Sequence, residues 1–289
     1  MKFTKMHGLG NDYIYIDLIN TNYTVDYSKF SKFFSNRNFG IGSDGVILIS
    51  NSKIADFKMT MYNADGSKGK MCGNGIRCVG KYLYDNNYTS KTSLKIETDS
   101  GIKDLTLFLK DNIVDNIEVD MGKAIFTPEL IPVLSDSNPV FDLKLDVLDK
   151  SFLCNVVSIG NPHAVIFTEN LDNLDTQKYG SAIENDKHFP DRTNVEFVKL
   201  IDKNTINMAV WERGSGKTLA CGSGACACAI TAYLKGYINN EVCVNLLGGT
   251  LHIRIDENTK HIYMKGSAKK VFDGYIDDNY LKEVMYDKD

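Results

Sequence analysis

Lys70-Met71-Cys72-Gly73-Asn74-Gly75-Ile76-Arg77 and Leu219-Ala220-Cys221-Gly222-Ser223-Gly224-Ala225-Cys226 read as one pattern written twice. Each contains Cys-Gly-x-Gly and each opens a helix-like run, Gly75 to Tyr84 in one and Gly224 to Leu234 in the other. A strand-like run ends in an aromatic ten residues before each cysteine, at Tyr62 and at Trp211. Without gaps, Met59 aligns with Met208, Lys68 with Lys217 and Cys72 with Cys221. Two further landmarks keep the offset. Gly10-Asn11 ahead of an apolar run matches Gly160-Asn161 ahead of another, and Asp44 before Val46 to Ile49 matches Asn194 before Val195 to Ile201. All lie 149 or 150 residues apart. Three landmarks at one offset point to an internal duplication, with one cysteine from each lobe.

A chain of 289 residues fits two domains of ordinary size. Its content is 43% hydrophobic and 24% charged, with net charge −4, the balance of a soluble globular protein. No broad basic field is present to attract nucleic acid or an anionic membrane. The start lacks the apolar core of a secretory signal, and no run of about 18 apolar residues occurs. The seven cysteines are odd in number and include no Cys-x-x-Cys, which disfavours a disulfide scaffold or a structural zinc site. Reduced thiols in the cytoplasm are the expectation.

Taken in order, Lys2 to Met6 and Tyr13 to Asp17 read as strands around a glycine turn, and Asp26 N-caps a helix carrying Phe30, Phe33 and Phe34. Strands follow at Val46 to Ser50, Phe57 to Tyr62, Leu94 to Thr98, Leu105 to Leu109 and Ile113 to Met121. The second half repeats this order. Leu153 to Ile159, Ala164 to Phe167, a weaker helix over Leu171 to Ile183, Val195 to Leu200 and Ile206 to Trp211 lead to the Cys221 helix. Three strands close that lobe, at Val242 to Leu247, Thr250 to Ile255 and His261 to Lys265. Lobes are expected over 1–122 and 123–265, with the tail 266–289 joining the first although it has no counterpart in the first half's order. Both helices after Cys-Gly-x-Gly are small and apolar, so each belongs inside, wrapped by its sheet.

Two phosphate-binding readings fail on spacing. Gly214-Ser215-Gly216-Lys217-Thr218 ends like a P-loop, but Trp211 stands where that loop needs its first glycine. Cys72 and Arg77 are one residue too close for a phosphatase nucleophile loop, and no strand leads into a dinucleotide fingerprint. What remains is a thiol at each helix start. There the first N–H groups lack internal partners and the helix dipole is positive, so a thiol should ionise more easily. The following glycines let a substrate approach the backbone donors. Cys78, Cys154, Cys226, Cys228 and Cys243 read as small buried hydrophobes. Two equivalent thiols suit inversion of a carbon centre, one removing a proton and the other delivering one.

The residues then bring a family into view. Gly8-Leu9-Gly10-Asn11-Asp12, Tyr62-Asn63-Ala64-Asp65-Gly66, the Cys72 motif, Gly160-Asn161-Pro162-His163, Arg192-Thr193-Asn194-Val195-Glu196-Phe197 and Trp211-Glu212-Arg213-Gly214 through the Cys221 motif closely resemble the diaminopimelate epimerases. The match runs in order through nearly the whole chain. The resemblance implies an α+β fold of two similar lobes, each a mixed, largely antiparallel sheet around a central helix. It also implies a cytoplasmic homodimer that interconverts LL- and meso-diaminopimelate without cofactor or metal, for lysine and peptidoglycan synthesis. Carried over by motif, Cys72 and Cys221 are the acid/base pair, and His163 and Glu212 tune the thiols. Asn11, Asn63, Gly73, Asn74, Asn161, Asn194, Glu212, Arg213, Gly222 and Ser223 bind the substrate. Two departures stand out: Gly45 where some members carry glutamine, and Ser223 where threonine is common. The rival readings are a two-cysteine racemase acting on proline or hydroxyproline, and an amino-acid-binding protein without turnover.

Overall fold

A computed structural model describes residues 1–286 of the chain. The chain forms two compact units, Met1–Val119 with the tail from Gly266 on, and Asp120–Lys265. In the first, β1 (Lys2–Gly8) turns through Leu9 and Gly10 into β2 (Asn11–Asp17). Helix α1 (Tyr27–Phe34) follows, N-capped by the Asp26 carboxylate, which accepts from the N–H groups of Ser28 and Lys29. Then come β3 (Gly45–Asn51), β4 (Phe57–Asn63), the two-residue β5 (Lys68–Gly69), helix α2 (Gly73–Asp85), β6 (Ser93–Thr98), β7 (Gly101–Lys110) and β8 (Ile113–Lys123).

The second unit runs β9 (Leu143–Val147), β10 (Lys150–Ser158), β11 (Pro162–Phe167), α3 (Thr176–Glu184), β12 (Asn194–Asp202), β13 (Thr205–Glu212) and β14 (Gly216–Lys217). It continues through α4 (Gly222–Leu234), β15 (Glu241–Leu246), β16 (Gly249–Ile255) and β17 (His261–Ser267). The tail adds β18 (Lys269–Tyr275) and α5 (Asp278–Tyr286) to the first unit.

Within each unit the strand pairing is mixed and mainly antiparallel, and the pairings correspond one to one. β2 pairs with β3 in parallel through Ile14↔Val46, as β11 pairs with β12 through Ala164↔Val195. β4 pairs with β6 in parallel, as β13 pairs with β15. Parallel strands are covered on both faces, and these read accordingly: Ile14, Ile16, Val46, Ile47, Ile49, Val165 and Val195 are fully buried. In the first unit, α1 lies on β3 and β4 while α2 lies on β1, β2 and β7. In the second, α3 lies on β12 and β13 while α4 lies on β10, β11, β12, β15 and β16. Ala225, Cys226, Ala227, Cys228, Ala229 and Ala232 of α4 have no exposed surface at all. Side chains this small let the strands approach the helix from every side.

The structure differs from the sequence expectations in two places and adds detail in a third. The weaker helix over Leu171 to Ile183 is broken: Leu171–Asn173 is a 3-10 turn and α3 starts afresh at Thr176. Asp175 causes the restart, accepting from the Lys178 N–H at 2.9 Å as an N-cap. The tail, without a counterpart in the first half's order, takes a place that the second unit fills from within itself. β18 pairs antiparallel with β1 along one edge, the place that β9 takes beside β10. Finally, Cys243 is partly exposed, with its Sγ 3.2 Å from His252 Nδ1 across the β15–β16 pairing, whereas Cys78, Cys154, Cys226 and Cys228 are buried. Its strand presents Cys243 to the open face, where imidazole and not packing is its partner.

Candidate active site

Cys72 is the N-cap of α2 and Cys221 the N-cap of α4, both in extended backbone conformation. The two-residue strands β5 and β14 pair with the ends of β4 and β13 and turn the chain back toward each helix start. Local sequence therefore delivers each thiol: a β-ribbon, a short return, then glycines that begin a helix.

Around Cys72, the Gly75 N–H donates to Sγ at 3.3 Å, and Sγ donates to Asn11 Oδ1 at 3.2 Å. Asn11 Nδ2 donates to Asp44 Oδ2 at 2.7 Å, an oxygen that also accepts from the Asp12 N–H at 3.0 Å. Arg37 spans both carboxylates, 2.8 Å from Asp12 and 2.9 Å from Asp44. Burial and the neighbouring Asp12 carboxylate push the Asp44 carboxyl up. Asp12 is pulled below the usual range: burial opposes this, but Arg37 and Lys5 outweigh it. Tyr13 is buried and its phenol is pushed well up, first by burial and then by Cys72. Asn63 turns away to Ser67 Oγ at 2.9 Å.

Gly73 and Asn74 rest on a residue that the sequence reading left without a role. Arg77 is wholly buried; it donates to the Gly73 carbonyl at 3.2 Å, to Asn74 Oδ1 at 2.8 Å and to the Ser267 carbonyl at 3.3 Å. The Asn74 side chain is thereby committed to Arg77. A buried cation on carbonyl oxygens fixes the first turn of α2.

Around Cys221 the chemistry is different. Its Sγ lies 3.6 Å from Ser223 Oγ. Burial pushes the thiol well above its ordinary range, and the carboxylates of Glu212 and Glu196 push it further, against the Ser223 hydroxyl and the Gly224 N–H. The expectation that both helix starts make thiols easier to ionise is therefore overturned at Cys221. Desolvation and two like charges hold the proton on the sulfur. Glu212 is itself pushed up, chiefly by burial, while Thr218 donates its hydroxyl to the carboxylate. His163 is fully buried, with Nδ1 2.7 Å from Glu196 Oε1 and Nε2 3.0 Å from Asn161 Oδ1. Within this unit His163 acts on Glu212, lowering it. Glu196, fully buried with Oε2 lacking any hydrogen-bond partner, is the second residue the sequence reading missed. A charged residue inside an otherwise apolar strand, Val195 to Val198, is the signal that could have found it.

The Arg213 loop is clamped rather than paired with its neighbour. The Arg213 N–H donates to Asn194 Oδ1 at 3.0 Å and its guanidinium to the Asp191 carbonyl at 3.0 Å. Glu184 accepts from Trp211 Nε1 at 2.7 Å and from the Gly214 N–H at 2.9 Å. At Gly45, a Cβ would stand 2.1 Å from the Tyr62 carbonyl oxygen, so this backbone leaves no room for the glutamine of other sequences. Among the described residues, no three or more His, Cys, Asp or Glu side chains converge as a metal-ligand set.

Solved structures share this fold. A probable proline racemase from Agrobacterium radiobacter K84 superposes with TM-score 0.72 at 14% identity, covering 98% of this chain and 95% of that one. A hydroxyproline epimerase from Agrobacterium vitis gives TM-score 0.72 at 13% identity over 95% of this chain and 90% of its own. The fold is thus that of the duplicated racemases and epimerases. The family model described as diaminopimelate epimerase matches residues 3–127 and 155–271, and the chain belongs to that family. A diaminopimelate epimerase of Methanococcus maripaludis strain S2 is 53% identical over 96% of this chain and 100% of its own length. One from Acetivibrio thermocellus is 49% identical over 97% and 100%. No helix among the described residues is long and apolar enough to cross a membrane.

Proposed function

We propose that this chain interconverts LL- and meso-diaminopimelate, with Cys72 and Cys221 as the two proton-transfer groups. One thiolate takes the α-hydrogen; the C–H electron pair stays on the α-carbon beside the carboxylate. The other thiol gives its proton to the opposite face, becoming the thiolate, and the reverse reaction exchanges the roles. The observation that carries this reading is the pair of cysteines at equivalent N-caps of two equivalent helices, in a member of this family. First-turn N–H groups at Gly73, Asn74, Gly222 and Ser223 are suited to hold the α-carboxylate and the charge that develops next to it. With its side chain committed to Arg77, Asn74 contributes backbone.

Asn11, Asn63, Asn161, Asn194, Glu212 and Arg213 are assigned to the substrate, whose second amino-acid end needs its own polar partners. Glu212 would help return a proton to or from Cys221: its carboxylate strengthens the thiol's hold on its proton, while burial raises the carboxyl itself. His163 acts behind Glu212. We further assign the protein to the cytoplasm, as a homodimer working without added cofactor, on the route to lysine and peptidoglycan precursors. The test is proton NMR of LL-diaminopimelate with purified protein in D2O and nothing else added. Appearance of the meso isomer with deuterium at the inverted α-carbon is expected. Deuterium uptake without inversion, or turnover of proline instead, would sink the assignment.

A further inference from the structure

We propose that Asp44 is a positioning residue for Cys72: it dictates which way the Asn11 amide faces, and so aims the Cys72 proton at Asn11 Oδ1. The inference rests on the reading above that Cys72 exchanges the substrate's proton.

An asparagine amide has an acceptor and a donor side, nearly equal in shape, and only its partners decide between them. Asp44 Oδ2 lies 2.7 Å from Asn11 Nδ2 and already accepts from the Asp12 N–H at 3.0 Å. Two N–H donors converge on that oxygen and the Arg37 guanidinium donates to Oδ1 at 2.9 Å, so both carboxylate oxygens serve as acceptors. The Asn11 amide nitrogen must therefore face Asp44, and its oxygen is left for the Cys72 thiol at 3.2 Å. The backbone of Asp44 is pinned as well: its N–H donates to the Asp12 carbonyl at 2.8 Å and its carbonyl accepts from the Ala64 N–H at 3.1 Å.

The orientation matters to the chemistry in both states of the sulfur. A thiol finds an acceptor and is held with its S–H in one direction rather than free to rotate. A thiolate finds an amide oxygen instead of N–H donors on that side, which keeps it a strong base. With the amide reversed, the NH2 group would stabilise the thiolate and weaken it as a base. The second unit is wired differently: Asn194, at the repeat position of Asp44, donates its Nδ2 to the Pro162 carbonyl at 2.8 Å, and Asn161, at the repeat position of Asn11, meets His163 Nε2 through its Oδ1 at 3.0 Å.

The experiment uses the full-length protein with Asp44→Ala and Asp44→Asn. The S–H stretching band of Cys72 is taken by Raman difference against Cys72→Ser in each background. In Asp44→Ala the band should shift from its wild-type position and kcat should fall about ten-fold, a fraction of what a positioned proton-transfer group supplies. Asp44→Asn can still present an oxygen to Asn11, and Arg37 keeps Asp12. It should therefore hold the wild-type band and stay within roughly three-fold in kcat, an outcome that loss of a merely structural carboxylate does not produce. A wild-type band and kcat in Asp44→Ala would overturn the proposal. If Asp44→Ala does not fold, the wild-type protein answers alone. In a 15N spectrum the Asn11 side-chain amide, assigned with Asn11→Ser, should show one proton displaced by the carboxylate; two solvent-like protons would overturn it. The Raman and NMR signals need no turnover, so failure here and failure of the epimerase assay are separate results.

Discussion

Gly75 and Gly224 occupy the same place in two equivalent helices, yet a methyl group added to each should have unequal consequences. A Cβ at Gly75 would meet the Ile47 Cδ1 methyl at 2.5 Å, the far end of a buried apolar side chain that no polar contact pins. A Cβ at Gly224 would meet Glu196 Oε1 at 2.6 Å and its Cδ and Cγ at 3.2 Å. That carboxylate has nowhere to go: it is fully buried and tied to His163 at 2.7 Å. Overpacking a filled core costs about 1–3 kcal/mol, while alanine in a helix gains up to about 1 kcal/mol over glycine. Gly224→Ala should thus be destabilised by about 1–2 kcal/mol, lowering Tm by roughly 2–8 °C for units of this size. Gly75→Ala should change stability by less than about 1 kcal/mol in either direction. Calorimetry and urea titration of both variants measure this directly. If Gly224→Ala unfolds at the wild-type temperature, or Gly75→Ala is the worse of the two, the pinned Glu196–His163 contact does not control that helix start.

Cys72→Ser and Cys221→Ser should each lose epimerisation by several orders of magnitude, and residual α-hydrogen exchange, read by deuterium NMR, should favour opposite stereoisomers in the two variants. Arg77→Met should cost on the order of 2–4 kcal/mol, because the carbonyls of Gly73 and Ser267 lose a buried donor; an unchanged urea midpoint would count against it. Glu212 has its folded pKa raised, mainly by burial, so its ionisation weakens the fold as pH rises through that pKa. Glu212→Gln should accordingly be more stable than wild type at neutral pH, with the gain vanishing below about pH 4, where the unfolded carboxyl is protonated too. Its turnover should nevertheless fall; a variant less stable at pH 7 contradicts the sign.

What could be read from sequence was local. The thiols, the glycines behind them and the aromatic-ended ribbons ahead of them sit within about twenty residues of one another, where turn and helix-start chemistry dominates. The Asp26 cap and the alternating strands were legible for the same reason. Arg77 was not, because nothing in Gly75-Ile76-Arg77 says that the guanidinium folds back onto the Gly73 carbonyl instead of reaching solvent. Nor was the raised thiol of Cys221, which depends on Glu196 and Glu212 arriving from β12 and β13. The dipole of its own helix was visible; the opposing charges were not. The break at Asp175 was masked by apolar residues that continue at helical spacing across it.

The strand beside β1 has a consequence for how the protein is made. β18 pairs along β1 from Lys2↔Tyr275 to His7↔Lys269, so β1 leaves the ribosome well ahead of the strand that covers it. At about 5–20 residues per second the delay is on the order of 15–60 s, during which the second unit has been synthesised in full. Until then β1 offers an uncovered ladder of N–H and C=O groups, with Phe3 at its surface, to any neighbouring nascent chain. The second unit, whose β9 immediately precedes β10, is spared that interval. Pulse-labelled synthesis should therefore find the downstream unit protease-resistant first, and chaperones engaged on the N-terminal segment.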